Sequence, residues 1–468
     1  MPADANALHI PAAFESLDVS GFRRLDDVTV GVFDCPHSTP ALSDRGPLVV
    51  RTQDIMTGVL RVDQAAHVSE ETYRERIVRA EPEFGDLLYS REGTYFGIAA
   101  DVPSGTRLCL GQRMVLIRPD RGKVDHRYLK YWLNSPQIAG HIHGFRDGSV
   151  AERLNLPVIR GLPVFVPELS EQRAVAETLG ALDDKIEQNR RTGRKLEELA
   201  RAVFKAWFVD FEPVKAKAAG ATAFPSMPPE TFATLPTRLL DSPLGPVPEE
   251  WEVKPIGDLA SFILGGDWGK DSETAETPDA ACCIRGADIP DLWANGMGKM
   301  PVRFLKRGSL EKRTLRDGDI VVEISGGSPT QSTGRPVLVR DALLNELTHP
   351  LVCSNFCRIF RPRPKLSLYT YFLFRWMYDT EQFLQYENGT TGIKNFAFTK
   401  FCEVHAVIEP VDGILSAFDI SSGPILDLMA HFGAESRKLA ALRDYLLPRL
   451  LSGRVRVRDA ETALGRTH

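Results

Sequence analysis

Two stretches of the chain place apolar residues at alternating spacings of four and three. The first stretch covers residues 171–210 and the second covers residues 424–451. This heptad spacing predicts long helices that pack against another helix, because the apolar positions then share one face. The side chains expected in helix packing are Leu179, Leu182, Ile186, Asn189, Leu196, Trp207, Phe208, Phe432, Leu439, Leu442 and Leu446.

Asn189 is a polar member of the first heptad seam. A polar residue at such a position fixes the register of paired helices at some cost in stability. We therefore expect the two helices to pair with each other, antiparallel, with Ser170 as the N-cap of the first. The alternative is that each helix packs only on its neighbouring globular part.

The rest of the chain predicts two mixed α and β parts. Short β-rich runs bounded by Gly and Pro, each set with one helical segment, indicate α+β domains. Eight prolines lie between residues 212 and 251, so no regular element is expected there. The predicted division is a globular part (1–167), a helix (168–212), a Pro-rich linker (213–244), a second globular part (245–410), a second helix (411–453) and a tail (454–468).

The two halves carry a diverged repeat. Four short segments recur in the same order, shifted by 233–234 residues in the first two and by 243 in the last two, as one insertion of about ten residues would produce. Such order predicts duplication of one domain. Asp54 and Asp288 occupy matching places, which favours a shared structural role over a pair of catalytic acids. The matching segments are 48–55 and 282–289, 84–90 and 317–323, 115–119 and 358–362, and 194–196 and 437–439.

Composition restricts the class of protein. The formal net charge is −5, so a protein that coats DNA with a uniformly basic surface is disfavoured, although local basic patches remain compatible. No apolar run is long enough to span a membrane, and the N-terminal residues do not resemble a signal peptide. Seven cysteines in so long a chain predict free thiols and a cytoplasmic location.

Motifs for catalysis and cofactor binding are incomplete. Residues 265–270 are one residue short of a phosphate-binding loop and precede Asp271 instead of Ser or Thr. His349, Cys353 and Cys357 lack a fourth zinc ligand. We therefore expect no catalytic residues, no bound cofactor and no metal in this chain.

Several segments resemble the specificity (S) subunits of type I restriction–modification enzymes. The resemblance covers nearly the whole chain, but the second globular part lacks the His-x-x-Pro pattern found at 37–40 in the first. The matching segments are Glu171-Gln172-Arg173, 182–186 with Asn189, Ala206-Trp207-Phe208-Val209-Asp210-Phe211, 33–40, 51–55 and 244–251.

The resemblance implies a fold and a set of partners. It implies two duplicated target-recognition domains separated by long helices that form an antiparallel coiled-coil pair. It also implies a non-catalytic subunit that binds a two-part DNA target, two modification subunits and two restriction subunits, which methylate adenine and cut DNA. S-adenosylmethionine, ATP and magnesium would belong to those partners.

Candidate DNA contacts are polar or basic residues in predicted loops, because base edges are recognised by such side chains on projecting elements. The alternative is that these are ordinary solvated turns. The candidates are His37, Ser38, Thr39, Ser90, Arg91, Thr94, Arg146, Asp147, Ser149 and Arg153 in the first half, and Ser325, Ser328, Thr330, Gln331, Asn388, Thr390, Thr391, Lys394 and Asn395 in the second.

Two other functions remain compatible with the sequence. A coiled-coil adaptor would keep the helices but use the globular parts to bind protein, which suits the acidic net charge. A nuclease with an unrecognised site would show metal-dependent cutting by the isolated chain.

The first helix provides a test of the two-part target. Inserting four residues next to Thr192 lengthens a helix by about 6 Å. Because base pairs are spaced by about 3.4 Å, the unrecognised gap between the two half-targets should grow by about one or two base pairs. Mapping of methylated adenines measures the gap, and an unchanged gap would rule out the helix as a spacer.

Overall fold

The computed structural model describes residues 19–62, 64–93, 95–143, 153–326, 331–390, 393–455 and 457 of the 468. The chain divides into two compact units. The first comprises the described residues within 1–185 and 439–468, and the second comprises those within 186–438. Each unit thus combines one globular part with segments of both long helices.

The first unit contains nine strands within its described residues. The first long helix, α5 (Leu169–Phe204), begins in this unit. In chain order the elements before it are β1 (Phe22–Arg24), β2 (Thr29–Asp34), β3 (Leu42–Val50), β4 (Ala66–Val68), α1 (Glu70–Arg76), β5 (Leu87–Ser90), β6 (Ala99–Asp101), β7 (Leu108–Leu110), β8 (Met114–Pro119), α2 (His126–Leu133), α3 (Pro136–His143), α4 (Leu156–Arg160) and β9 (Pro163–Phe165).

The second unit follows a similar order of elements. Helix α5 continues into a π-helical turn, Lys205–Val209. After it come α6 (Glu212–Ala218), α7 (Pro229–Thr234), β10 (Leu239–Leu240), β11 (Val247–Pro248), β12 (Glu252–Pro255), β13 (Ala260–Gly265), β14 (Asp279–Ile284), α8 (Ile289–Trp293), β15 (Val302–Leu305), α9 (Arg307–Arg313), β16 (Ile320–Glu323), β17 (Ser325–Gly326), β18 (Pro336–Leu338), α10 (Asp341–Leu344), β19 (Leu351–Cys353), β20 (Cys357–Pro362), α11 (Ser367–Asp379), β21 (Glu387–Thr390), β22 (Ile393–Phe396), α12 (Phe398–Val404), β23 (Ala406–Glu409) and α13 (Asp412–Leu451).

The strand topology confirms the duplication. A four-stranded antiparallel sheet has the order β2-β8-β5-β6 in the first unit and β13-β20-β16-β18 in the second. A three-stranded sheet, β4-β3-β7 or β15-β14-β19, combines one antiparallel and one parallel pair in each unit. The ladder β1-β9 matches β12-β23. Both copies also place an irregularity at the start of the first long ladder.

A repeated ion pair explains two of the four recurring segments. Arg118 donates to the buried carboxylate of Asp86 at 3.0 and 2.8 Å. Arg361 donates to the buried carboxylate of Asp319 at 2.6 and 2.7 Å in the second unit. A buried carboxylate without its partner would be strongly destabilising, so both members of the pair persist after duplication.

The matching aspartates Asp54 and Asp288 have a structural role. Asp54 accepts the backbone N–H of Arg51 at 2.8 Å, and Asp288 accepts that of Arg285 at 3.0 Å. Burial raises the pKa of Asp288. Hydrogen bonds from Arg285 and from the Lys299 N–H lower it by more, so the net pKa lies below the usual range. Each carboxylate thereby caps a short 3-10 turn, as favoured from the sequence.

The Pro-rich linker contains regular structure, so the prediction of none was wrong. Helices α6 and α7 carry prolines in their first turns, where the missing amide proton has no intrahelical partner to lose. Strands β10 and β11 form a short antiparallel ladder. The segment also contributes Val214, Met227, Phe232 and Leu235 to the second core.

The two long helices pair within each unit. In the second unit the Asn189 amide donates to Glu435 Oε2 at 2.7 Å and to Ser436 Oγ at 3.3 Å. In the first unit Arg443 donates to Asp183 at 2.8 Å. Within the second unit Asn189 contacts Glu435, whereas Phe204, later in α5, contacts Phe418, earlier in α13, so the pair is antiparallel, as predicted.

The helices also contribute to the cores of the globular parts. The alternative prediction, in which each helix packs on its neighbouring globular part, requires such contacts. The first core contains Leu179 from α5 and Leu446 from α13, together with Trp132 from α2. The second core contains Trp207 and Phe208, which follow α5. Among the other predicted packing residues Asn189 is buried, and the partly buried ones are Leu182, Ile186, Leu196, Phe432, Leu439 and Leu442.

Both long helices start within one residue of the predicted bounds, 168 and 411, but neither the predicted N-cap nor the start of the second heptad stretch marks these positions. Helix α5 begins at Leu169, so Ser170 lies inside it and is not the N-cap. Helix α13 begins at Asp412, twelve residues before the start of the heptad seam, and contains Pro424. Ile414 and Phe418 in these extra turns are buried in the second core, and this burial offsets the amide bond that Pro424 cannot make.

Two leucines on α13 test the core assignment. Leu446→Ala should lower the free energy of unfolding by about 2–5 kcal/mol, because Leu446 is buried in the first core. Leu428→Ala is the matched control, since Leu428 is 42% exposed on the same helix. Denaturant unfolding of the intact chain measures both, and equal losses would contradict this packing.

Candidate nucleic-acid interface

A small sheet in the second unit brings three predicted contact residues together. Strands β17, β22 and β21 form a three-stranded sheet, which we name the polar sheet. Asn388 pairs with Asn395 and Asn395 pairs with Ser325 across its strands. Because directly paired residues project from the same face, these three side chains form one row.

The row faces solvent. Asn388 and Asn395 are exposed, whereas Phe396, one position along β22, is buried in the second core. Successive residues of a strand point to opposite faces. The polar sheet therefore has an outer face with Ser325, Asn388 and Asn395, and an inner face that packs on the core.

The inner face ties the sheet to its unit. Lys394 lies 3.4 Å from the Glu387 carboxylate, and both belong to this face. Glu387 also accepts the Thr333 N–H at 2.5 Å and the Thr333 hydroxyl at 2.8 Å. The predicted contact residue Lys394 is thus held by a carboxylate on the side opposite to the two asparagines.

A buried ion pair lies beside the polar sheet. Arg335 donates to both oxygens of Glu323 at 2.6 Å and to the Gly286 carbonyl at 2.9 Å. Burial lowers the Arg335 pKa, but the Glu323 carboxylate raises it more, and the net pKa is above the ordinary value. With its amide oxygen turned toward Arg335, the predicted contact residue Gln331 accepts a hydrogen bond at 2.8 Å. Glu323 immediately precedes the Ile324–Ser325 link into β17 and so positions that strand.

The first-half candidates after β2 remain at the surface. His37, Ser38 and Thr39 are exposed. The carbonyls of this loop are held in place, since that of Ser38 accepts from Arg76 at 3.1 Å and that of His37 accepts from Gln112 at 2.5 Å. These three side chains are therefore presented to solvent on a loop with a fixed backbone.

Two first-half candidates are buried instead. The Ser90 hydroxyl donates to the Tyr95 carbonyl and accepts from the Ile98 N–H at 3.1 Å. Arg91 donates to Asp34 at 2.8 Å and is only 7% exposed. In this conformation both side chains stabilise the fold, and neither is available to a base edge. Sequence alone did not show this, because a serine and an arginine in a predicted loop carry no sign of burial.

The remaining candidates divide into one exposed residue and several that lie outside the described residues. Arg153 is exposed and donates to Asn155 at 3.4 Å. Thr390 belongs to β21, although its side chain is not described. Outside the described residues lie Thr94, Arg146, Asp147, Ser149, Ser328, Thr330 and Thr391.

Metal ligation has little support in the described part of the chain. Asp34, Cys35 and His37 could offer ligand atoms within 4.8 Å of one another. However, Asp34 already pairs with Arg91, whose positive charge would oppose a cation there. Cys353 and Cys357 are buried, and burial raises the pKa of the Cys357 thiol to about 12, so the thiolate that zinc requires is disfavoured.

Helix α9 carries exposed basic residues that the sequence analysis did not predict as DNA contacts. Lys306 and Arg307 at the start of α9 are 70% and 76% exposed, and their nearest carboxylates lie at 3.8 and 3.6 Å. Exposed cations of this kind suit phosphate groups, which are contacted without regard to sequence. The cluster of Lys and Arg between 306 and 316 was visible in the sequence, but acidic neighbours at 271–279 obscured it.

Comparison with known proteins shows which proteins this chain is similar to. No protein-family model matches the chain. The HindI specificity subunit of a type I restriction enzyme from Haemophilus influenzae is 23% identical, with 79% of this chain and 86% of that protein aligned. The MjaIX specificity subunit from Methanocaldococcus jannaschii is also 23% identical, over 84% of this chain and 82% of its own length. Over about four-fifths of its length the chain is similar to type I restriction enzyme specificity subunits.

A solved structure agrees at the level of the fold. The S subunit of a type I restriction–modification system from M. genitalium superimposes with a TM-score of 0.54, covering 94% of this chain and 99% of that one. Its sequence identity is 14%, so this likeness concerns the fold alone. The described part of this chain contains no helix long and apolar enough to cross a membrane.

The buried ion pair next to the polar sheet yields a stability prediction. Glu323→Gln leaves Arg335 buried without its counter-charge, so the free energy of unfolding should fall by about 3 kcal/mol or more. Asp279→Asn is the control, because it removes the partner of the exposed Arg307 and should cost less than about 1 kcal/mol. Equal effects of the two substitutions in urea unfolding would contradict the assigned burial.

Proposed function

We propose that this chain is the DNA sequence-specificity subunit of a type I restriction–modification complex. It recognises a two-part target and has no catalytic activity of its own. The observation that carries the proposal is the duplicated unit, found in a chain whose relatives over four-fifths of its length are named specificity subunits.

Two copies of one fold suit a target with two different halves. The shared sheets give both units the same framework, while the residues at equivalent strand ends differ. Strand β5 ends on Ser90, whereas β16 ends on Glu323, which anchors Arg335. Each unit is thereby free to recognise its own half-target, and the spacing of the halves follows from the protein.

The chemistry is assigned to partner subunits. We propose two modification subunits that methylate adenine and two restriction subunits that translocate and cut DNA. S-adenosylmethionine belongs to the former, and ATP and magnesium belong to the latter. Because the DNA target lies there, the complex works in the cytoplasm.

The net charge of the chain fits a shared DNA interface. A chain with a formal charge of −5 neutralises few phosphates by itself. Local cations such as Lys306 and Arg307 contribute some contacts, and the modification subunits supply others. Affinity should therefore depend strongly on the presence of those subunits and on salt concentration.

Selection from random DNA tests this function. The purified chain, assembled with its modification subunits, is incubated with a pool of randomised duplexes, and the bound fraction is sequenced. We expect a motif of two short conserved blocks separated by unconserved positions. The modification subunits alone are the control and should enrich no such motif.

Two results would contradict the proposal. Absence of any enriched motif from the assembled complex would favour a protein-binding adaptor. Metal-dependent cutting of the pool by the isolated chain would show a nuclease activity that the proposal denies.

A further inference from the structure

We propose that Asn388 and Asn395 recognise A·T base pairs from the major groove, in the half-target bound by the second unit. This inference rests on the function proposed above. It assigns to the polar sheet a class of base, which neither the fold nor the relatives specify.

The first argument is the state of the two amides. Asn388 and Asn395 are exposed neighbours on the outer face, and neither amide is hydrogen-bonded to another described residue. Elsewhere in the described chain, Asn134 and Asn189 both use their amides within the fold. Two adjacent amides without a hydrogen-bond partner among the described residues are available for an external ligand.

The second argument is hydrogen-bond chemistry. A carboxamide donates from nitrogen and accepts at oxygen, side by side. Adenine presents the complementary pair, the N7 acceptor and the N6 amino donor, in the major groove. A guanine presents two acceptors and is matched by Arg or Lys. The only cation among the described residues of β21 and β22, Lys394, lies on the inner face beside Glu387, so the outer face favours A·T over G·C.

The third argument is dimension. Strands β21 and β22 of the polar sheet form a two-stranded ribbon, and such a ribbon fits the major groove, which is about 12 Å wide. Directly paired residues have Cβ atoms about 4.5–5.5 Å apart, and successive base pairs are spaced by about 3.4 Å. Two paired asparagines therefore span neighbouring base pairs, with Ser325 next in the same row.

The fourth argument is rigidity. The ribbon is held from behind by the Thr333–Glu387 hydrogen bonds and by the Lys394–Glu387 pair. The third strand of the polar sheet, β17, follows the buried Glu323–Arg335 pair. A row of amides on such a support loses little conformational freedom on binding, which favours sequence discrimination.

The experiment compares Asn388→Ala and Asn395→Ala with the wild type in the complete complex with its modification subunits, using the randomised duplex pool. We expect the wild type to enrich adjacent A·T pairs in one block of the motif. Each variant should lose that preference by about tenfold at one base pair, while the other block and the gap stay unchanged. Asn345→Ala, at an exposed asparagine after α10, is the matched control and should retain the full motif.

A second probe tests the atoms involved. Duplexes of the selected sequence are made with 7-deazaadenine at the candidate positions, which replaces the N7 acceptor by a carbon. Wild-type binding should weaken about tenfold, and the variant that lacks the matching asparagine should not discriminate the two duplexes.

The outcomes separate the two proposals. If the wild-type complex enriches no split motif, the proposed function fails. If it enriches one but both alanine variants keep every A·T preference, this inference alone fails. It also fails if the variants lose affinity equally for all sequences, or if the altered positions are G·C pairs.

Discussion

The antiparallel pairing of the two long helices is the constraint on which both units depend. Asn189 contacts Glu435 and Ser436 inside this pair and fixes its register. A shift of one helix would remove Leu446 from the first core and leave the buried Asn189 amide without an acceptor, at a cost of about 1–3 kcal/mol for the amide alone. Helix α13 thus completes the core of the first unit, most of whose residues lie before α5 in the chain.

The duplication could be predicted from sequence because buried polar pairs resist change. The same Asp–Arg pair occurs in both units, as Asp86 with Arg118 and as Asp319 with Arg361. Loss of one member would leave the other as a buried charge without its partner. The regular structure of the linker and the continuation of α13 through Pro424 could not be predicted in the same way. In both segments, burial of an aromatic side chain in the second core, Phe232 or Phe418, overrides the local effect of proline. Residues distant in the chain bury these side chains, so the sequence around each proline does not indicate the burial.

The candidate site was only partly predictable for a related reason. The sequence indicated Asn388, Lys394 and Asn395 as polar residues near a turn, but not that the asparagines share one face and Lys394 the other. That distinction follows from strand register, and the third strand that completes the row, at Ser325, lies some sixty residues earlier in the chain. For the same reason the sequence did not predict the burial of Ser90 and Arg91, because contacts between residues distant in the chain cannot be read from a local pattern.

The central claim is that two units of one fold specify two halves of one DNA target through shared helices. The most direct measurement is a genome-wide map of methylated adenines in cells that express the chain together with its modification subunits. The account predicts methylation confined to one split motif with a constant gap, lost when the chain is deleted. Methylation at an undivided motif, or methylation that persists without the chain, would contradict it.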